Sequence, residues 1–235
     1  MVPATLAMHM SDGLVNTPTA AGAALVAIVG LAIAVQRARA DLDDRTAPMA
    51  GLVTAFVFAV QMINFPILPG ASGHLLGGAL VAILVGPWVG SLCIAIVLVV
   101  QALLFADGGL TALGTNVVNM ALVGVLAGHA VATALRPLAR RSRKGLLATA
   151  FVAALVNTVV AALAFVLEYA IGGAGGASLG TVIALMLGLH VLIGIGEGII
   201  TAATVGAVAT VRPDLVYLLR GHAAPLQVRD AGSAS

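Results

Sequence analysis

Apolar residues dominate long, largely uncharged runs along this chain, roughly residues 19–36, 48–65, 75–106, 115–135, 146–167 and 181–211, and every lysine and arginine falls outside them. Most runs have the 17 or more residues that a helix needs to cross about 30 Å of hydrocarbon, where lipid offers the backbone amides no other partner. A membrane β-barrel would alternate apolar and polar positions instead. The pattern predicts an all-α integral membrane protein.

The third run is too long for one span. As a straight helix, residues 75–106 would measure about 48 Å at 1.5 Å per residue, so the run is expected to bend near Gly86-Pro87-Trp88 into two short spans or a re-entrant pair. That makes seven membrane segments. Composition agrees: 61% of residues are hydrophobic and 9% charged, with a mean hydropathy of +1.13, against about 25% charged in a soluble domain.

The few charges orient the segments. All eleven Lys and Arg residues fall in three groups: Arg37, Arg39 and Arg45; Arg136, Arg140, Arg141, Arg143 and Lys144; Arg212, Arg220 and Arg229. The positive-inside rule makes all three groups cytoplasmic. The N terminus is then outside, the C terminus inside, and His9, His74 and Asp107 share the outer face. Residues 1–211 read as a single polytopic domain of the cell membrane, and 212–235 as a cytoplasmic tail. Residues 1–15 lack the basic and apolar regions of a signal peptide, so the first helix is expected to act as its own insertion signal. The lone Cys93 lies in an apolar run and reads as a small core residue.

Several chemistries are excluded. The only lysine, Lys144, precedes Gly145, so no phosphate-cradling Gly-Lys-Ser/Thr loop exists. No histidine begins a His-Glu-x-x-His zinc motif, and the glycine runs, such as 172–176, are too irregular for a dinucleotide fingerprint. Nothing points to nucleic acid. The basic group 136–144 could touch anionic lipid or a partner, although orientation is its ordinary task.

Two histidines on one face suggest a divalent metal site, because imidazole suits Ni(II), Co(II), Cu(II) and Zn(II) better than magnesium or calcium. His9 sits in Met8-His9-Met10-Ser11-Asp12-Gly13 and His74 in Gly73-His74-Leu75-Leu76-Gly77-Gly78. If Met8 were the first residue, its amine, the His9 amide nitrogen and the His9 imidazole would form two fused chelate rings, leaving a fourth corner for His74. Four nitrogens in a plane favour nickel(II) and copper(II) over tetrahedral zinc.

These motifs, with Gly86-Pro87-Trp88, Gly108-Gly109-Leu110-Thr111-Ala112-Leu113-Gly114-Thr115-Asn116 and His190 through Glu197-Gly198, resemble the cobalt/nickel substrate-capture components of energy-coupling-factor transporters, the CbiM/NikM family. The resemblance runs over most of the chain. It implies that Met8, His9 and His74 hold the transported Ni(II) or Co(II), with no resident cofactor. It also implies partners: a transmembrane coupling subunit, two cytoplasmic ATPases that hydrolyse the ATP, and often a small auxiliary membrane protein. The chain itself would be a transporter subunit and no enzyme. Met1-Val2-Pro3-Ala4-Thr5-Leu6-Ala7 ahead of Met8 depart from the family pattern, so translation from Met8 or trimming to it is expected.

Asn116, Asn119, His190 and Glu197 are candidates for bracing the metal from behind. Interhelical packing polarity, with partners such as Asn157 or Gln101, is the competing reading. Glu168, His129 and His222 are not put forward as ligands. Release of the metal is expected through His9, on the free end of the chain, and Glu197→Gln is expected to impair transport more than binding. An ion- or proton-coupled carrier working without ATPases, with His190 and Glu197 as relay, is the alternative. Small pairs such as Ala20/Ala24 and Ala150/Ala154 would allow close helix packing.

Overall fold

The computed structural model describes residues 9–63, 65–68 and 71–220, with the backbone alone for 65–68 and 71–73. Met8 and the residues before it, and the tail from Gly221 with His222 and Arg229, lie outside the described residues.

The apolar runs fold as helices: α1 (Thr17–Asp41), α2 (Thr46–Gln61), α3 (Gly78–Val85), α4 (Pro87–Leu104), a continuous rod made of α5 (Leu113–Asn116), a π-helical stretch (Val117–Gly124) and α6 (Val125–Ala134), then α7 (Arg136–Arg141), α8 (Arg143–Gly172) and α9 (Leu179–Val211). Local chemistry sets the starts. Asn16, Ser142 and Ser178 cap α1, α8 and α9 by accepting the N–H of Thr19, Gly145 and Thr181. Asp43 does the same for Thr46 at the head of α2.

Among the described residues, five helices are long and apolar enough to cross a membrane: Thr17–Asp41, Pro87–Leu104, Leu113–Ala134, Arg143–Gly172 and Leu179–Val211. Helix α2 has 16 residues and α3 only eight. At 1.5 Å per residue α3 is about 12 Å long, a half-helix rather than a span. The expected bend lies where the glycine and proline require it: Gly86 adopts φ +91°, and Pro87 starts α4.

Two connecting segments carry structure of their own. Phe65–Leu68 (β1) pairs antiparallel with Ala71–Gly73 (β2), and Arg136–Arg141 is the short helix α7. The all-helical expectation therefore holds apart from one small hairpin.

Hydrophobicity alone did not say which helix is central. Every residue of α3 is buried, whereas α1 buries only Ala27, Ala34 and Ala38 and exposes Leu25, Ile28 and Val29. Such an apolar exterior suits a protein whose solvent is lipid. Helix α3 is wrapped by α2, α4, α6, α8 and α9. Ala24 packs against Gly114 of α5, and Ala150 and Ala154 are fully buried on α8, so these small residues serve packing inside the chain.

The arginine groups gather at one end of the bundle. Arg37 lies over Trp88, Arg45 faces Asp214 at 3.7 Å, Arg136 and Arg140 donate to the Arg220 carbonyl, and Arg220 donates to Thr46. Tyr217, beside Arg220, seats against Gly86 at the foot of α3. The other end of α3 leads back to His74.

Candidate metal centre

Residues 9–16 enter the bundle as a fastened strand. Asn116 accepts the N–H of Met10 (2.8 Å) and donates to its carbonyl (3.0 Å), and Gly109 N–H donates to the same carbonyl (3.1 Å). Asp12 accepts both the N–H and the hydroxyl of Thr111. Further along, Asn16 N–H donates to Gly172 and Ala174 N–H to Leu14. Met10 is fully buried and His9 only 3% exposed. His9, expected on the free end of the chain, belongs to a held segment: at least six hydrogen bonds would have to open for residues 9–16 to leave.

The loop after α4 brings a carboxylate to His9. Ala106 has φ +52° and Gly108 φ +85°, two left-handed residues flanking Asp107. The alanine conformation costs roughly 1 kcal/mol, a strain of the kind that persists where surroundings dictate it. A side chain at Gly108 would be strained and crowded, since its φ is left-handed and a Cβ would sit 3.2 Å from Asn116 Nδ2 and 3.3 Å from the His9 Cβ. The turn aims Asp107 Oδ1 at His9 Nδ1, 3.0 Å away. That hydrogen bond holds the Asp107 carboxyl below the usual carboxylate range. An ionised carboxylate only accepts, so His9 carries its proton on Nδ1. His9 Nε2 is buried, with no hydrogen-bond partner among the described residues.

His74 stands against His9, with ring centroids 4.5 Å apart and planes inclined by 41°. It is 2% exposed, and burial pushes its imidazole well below the ordinary 6.5, so the ring is neutral near pH 7. Its Nδ1–H donates to the carbonyl of Leu75 at 3.0 Å, which puts the lone pair on Nε2.

The backbone next to His74 is held by the last helix. Glu197, 1% exposed, accepts the N–H groups of Leu76 (2.8 Å) and Gly77 (3.1 Å) and the side-chain amide of Asn157 (3.0 Å). The Thr158 hydroxyl lies 3.1 Å from the same carboxyl, and Gln61 donates to the Leu76 carbonyl at 2.6 Å. A carboxyl at the head of α3 also meets the positive end of that helix dipole.

Two neutral-capable imidazoles in van der Waals reach, excluded from water, can hold a borderline metal ion. Among the described residues no group of three or more His, Cys, Asp or Glu side chains is arranged as a cage, so further donors would have to be backbone nitrogens or lie outside them.

The other candidates separate. Asn116 braces the His9 segment directly. Asn119 does not: it donates to Glu168 on α8 at 2.7 Å. The two asparagines still line one cavity, so what separates them is the partner each side chain reaches, Met10 for Asn116 and Glu168 for Asn119. His190 is buried and donates Nδ1–H to the Met186 carbonyl one turn back, and it lines a narrow cavity with Asn116, Asn119 and Met186. Glu197 turns out to hold backbone. His129 stands at the arginine end, 6.2 Å from Tyr217. Sequence reading missed the roles of Asp107, Asp12 and Gln61. The acidic residue in Ala106-Asp107-Gly108-Gly109, already assigned to the face of His9, was the available signal for the first.

Comparison with known proteins bears on the whole bundle. A family profile described as CbiM, cobalt uptake substrate-specific transmembrane region, matches residues 9–215. A metal transport protein of Haloquadratum walsbyi is 38% identical over 89% of this chain and 94% of its own length. The cobalt transport protein CbiM of Sorangium cellulosum is 32% identical over 91% and 96% respectively. The fused nickel transport protein NikMN of Rhodobacter capsulatus is 32% identical over 93% of this chain and 66% of its own length. A solved structure of a transition metal transporter superposes with a TM-score of 0.76 at 26% identity, covering 91% of this chain and all of the other. A truncated transition metal transporter gives 0.75, also at 26% identity, over 86% and 98%.

Proposed function

The chain belongs to the CbiM family of cobalt and nickel transport proteins, and from that premise we propose that it captures Ni(II) or Co(II) at the His9–His74 end of the bundle and hands it to an ATP-driven module. The observation carrying this reading is the pair of buried imidazoles 4.5 Å apart, at the end remote from every described arginine cluster. The donors are the Met8 amine, the amide and imidazole nitrogens of His9, and the imidazole of His74. Such a plane of nitrogens selects by geometry, leaning toward nickel(II) and disfavouring zinc.

The topology that goes with this function has seven membrane segments, counting α2 and the buried α3, with the N terminus outside the cell membrane and the C terminus inside. The arginine end then faces the cytoplasm, as charge bias favours. There it meets a transmembrane coupling subunit and two ATPases, with a small auxiliary membrane protein as a further partner. Asn116 and Glu197 stiffen the two histidine segments from behind; Asn119 and His190 stand one layer deeper.

Calorimetry with Ni(II) and Co(II) on the detergent-solubilised protein tests the site. His74→Ala should lose affinity on the order of 100-fold or more, since displacing even a supporting residue of a metal ligand costs 10–100-fold. Equal affinity in variant and parent would discard the assignment. Uptake that persists in cells lacking the ATPase subunits would point instead to an ion-coupled carrier.

A further inference from the structure

We propose that Asp107 competes with the transported metal for His9, holding the ring in the metal-free form and setting how readily the ion is let go. This rests on the capture reading above and adds a residue that the reading did not contain.

A chelate ring that includes a residue's own amide nitrogen and its imidazole closes through Nδ1, because Nε2 lies on the far side of the ring. In the structure His9 Nδ1 is the nitrogen engaged by Asp107 Oδ1, at 3.0 Å. Metal and carboxylate therefore cannot both have it. The carboxylate is not there by chance of a loose side chain. Its backbone is fixed between Ala106 and Gly108, both left-handed, and its own N–H donates to the Gln101 carbonyl at 3.1 Å. Other hydrogen bonds of the loop run to the same segment as His9: Gly109 to Met10 and Thr111 to Asp12.

Loading is then an exchange. The Asp107 hydrogen bond opens and His9 changes tautomer, its proton moving from Nδ1 to Nε2, so the imidazole stays neutral. The metal takes the Nδ1 lone pair, and the His9 amide proton leaves to water as that nitrogen joins the plane. Unloading reverses each step and restores the hydrogen bond between Asp107 and His9, 3.0 Å long in the structure. Because Asn116 holds Met10 by both its N–H and its carbonyl, the exchange at His9 can proceed without withdrawal of the whole segment.

The test uses the purified chain, Ni(II) as probe, and the variants Asp107→Ala and Asp107→Asn. Removing a charge-assisted hydrogen bond from the metal-free state should tighten Ni(II) binding by about tenfold in Asp107→Ala, with slower dissociation, and by less in Asp107→Asn, which keeps a neutral acceptor. Nitrogen-15 histidine spectra of the metal-free parent should show His9 protonated at Nδ1, with that preference reduced in both variants. Weaker or unchanged Ni(II) binding in Asp107→Ala and Asp107→Asn would overturn the proposal and make Asp107 a support of the bound state. If His74→Ala binds Ni(II) as the parent does, the capture site itself is wrong; if it loses binding while the Asp107 variants gain nothing, only the competition fails. Should Asp107→Ala misfold, the Asp107→Asn affinity and the parent spectrum decide the matter.

Discussion

Glu197 accepts the backbone N–H of Leu76 at 2.8 Å, two residues beyond His74, and so fixes one wall of the candidate metal centre from the last helix of the bundle. The carboxyl serves Gly77 and Asn157 as well. In Glu197→Gln one oxygen becomes an amide donor facing donors, and at least one buried N–H loses its acceptor. The expected cost is roughly 1–3 kcal/mol of stability. Because the strap it holds carries His74, Ni(II) affinity should fall as well, by about tenfold. This revises the expectation that transport would suffer more than binding. Thermal unfolding and calorimetry on the same preparation check it; unchanged affinity in a destabilised variant would reduce Glu197 to packing.

Two glycines of like conformation separate strain from contact. Gly13 (φ +78°) has open space where a Cβ would go, whereas Gly108 (φ +85°) has Asn116 and His9 within 3.3 Å. Alanine at either position costs roughly 1–2 kcal/mol of backbone strain. Only Gly108→Ala should also weaken metal binding, through the displaced His9. Matching affinities in the two variants would show that the Gly108 turn does not shape the site.

Burial lowers the His74 pKa from 6.5 toward about 3. The folded metal-free chain then leaves this ring unprotonated where the unfolded chain protonates it, so the unfolded state binds more protons between those values. Stability from this source is complete above about pH 6.5 and is lost progressively as pH falls toward 3. Unfolding temperatures of the metal-free protein should drop more between about pH 7 and 5 in the parent than in His74→Gln. Parallel pH profiles would contradict the burial of a neutral ring.

A free amine at Met8 is required for the proposed chelate. Mass spectrometry of protein purified with bound nickel should find chains beginning at Met8, and acetylating that amine should reduce Ni(II) affinity strongly. A tight-binding chain that retains Met1 would remove the amine from the donor set, leaving His9 and His74 to be explained with other ligands.

Much of the fold was legible because each run of apolar residues has one physical solution in lipid, a helix, and because eleven cations segregate into three gaps. The bend at Gly86-Pro87 was legible for the same local reason, a positive φ beside a ring that cannot continue a helix. His9 and His74 could be nominated from charge parity. Their distance could not, since it depends on how α3 is seated among five other helices.

What the sequence by itself determined is therefore the set of helices, the arginine end opposite the histidine end, and the kinds of donor at the latter, all of which follow from transfer energies and chain order. Tertiary structure alone decided that α3 is the buried axis, that Glu197 holds the backbone beside His74, that Asn116 clamps Met10 while Asn119 turns to Glu168, and that Asp107 reaches His9. These pairings join residues far apart in the chain, and hydrogen bonds of that kind leave no periodicity to read: any buried amide or carboxylate can satisfy another, and only packing selects which ones meet.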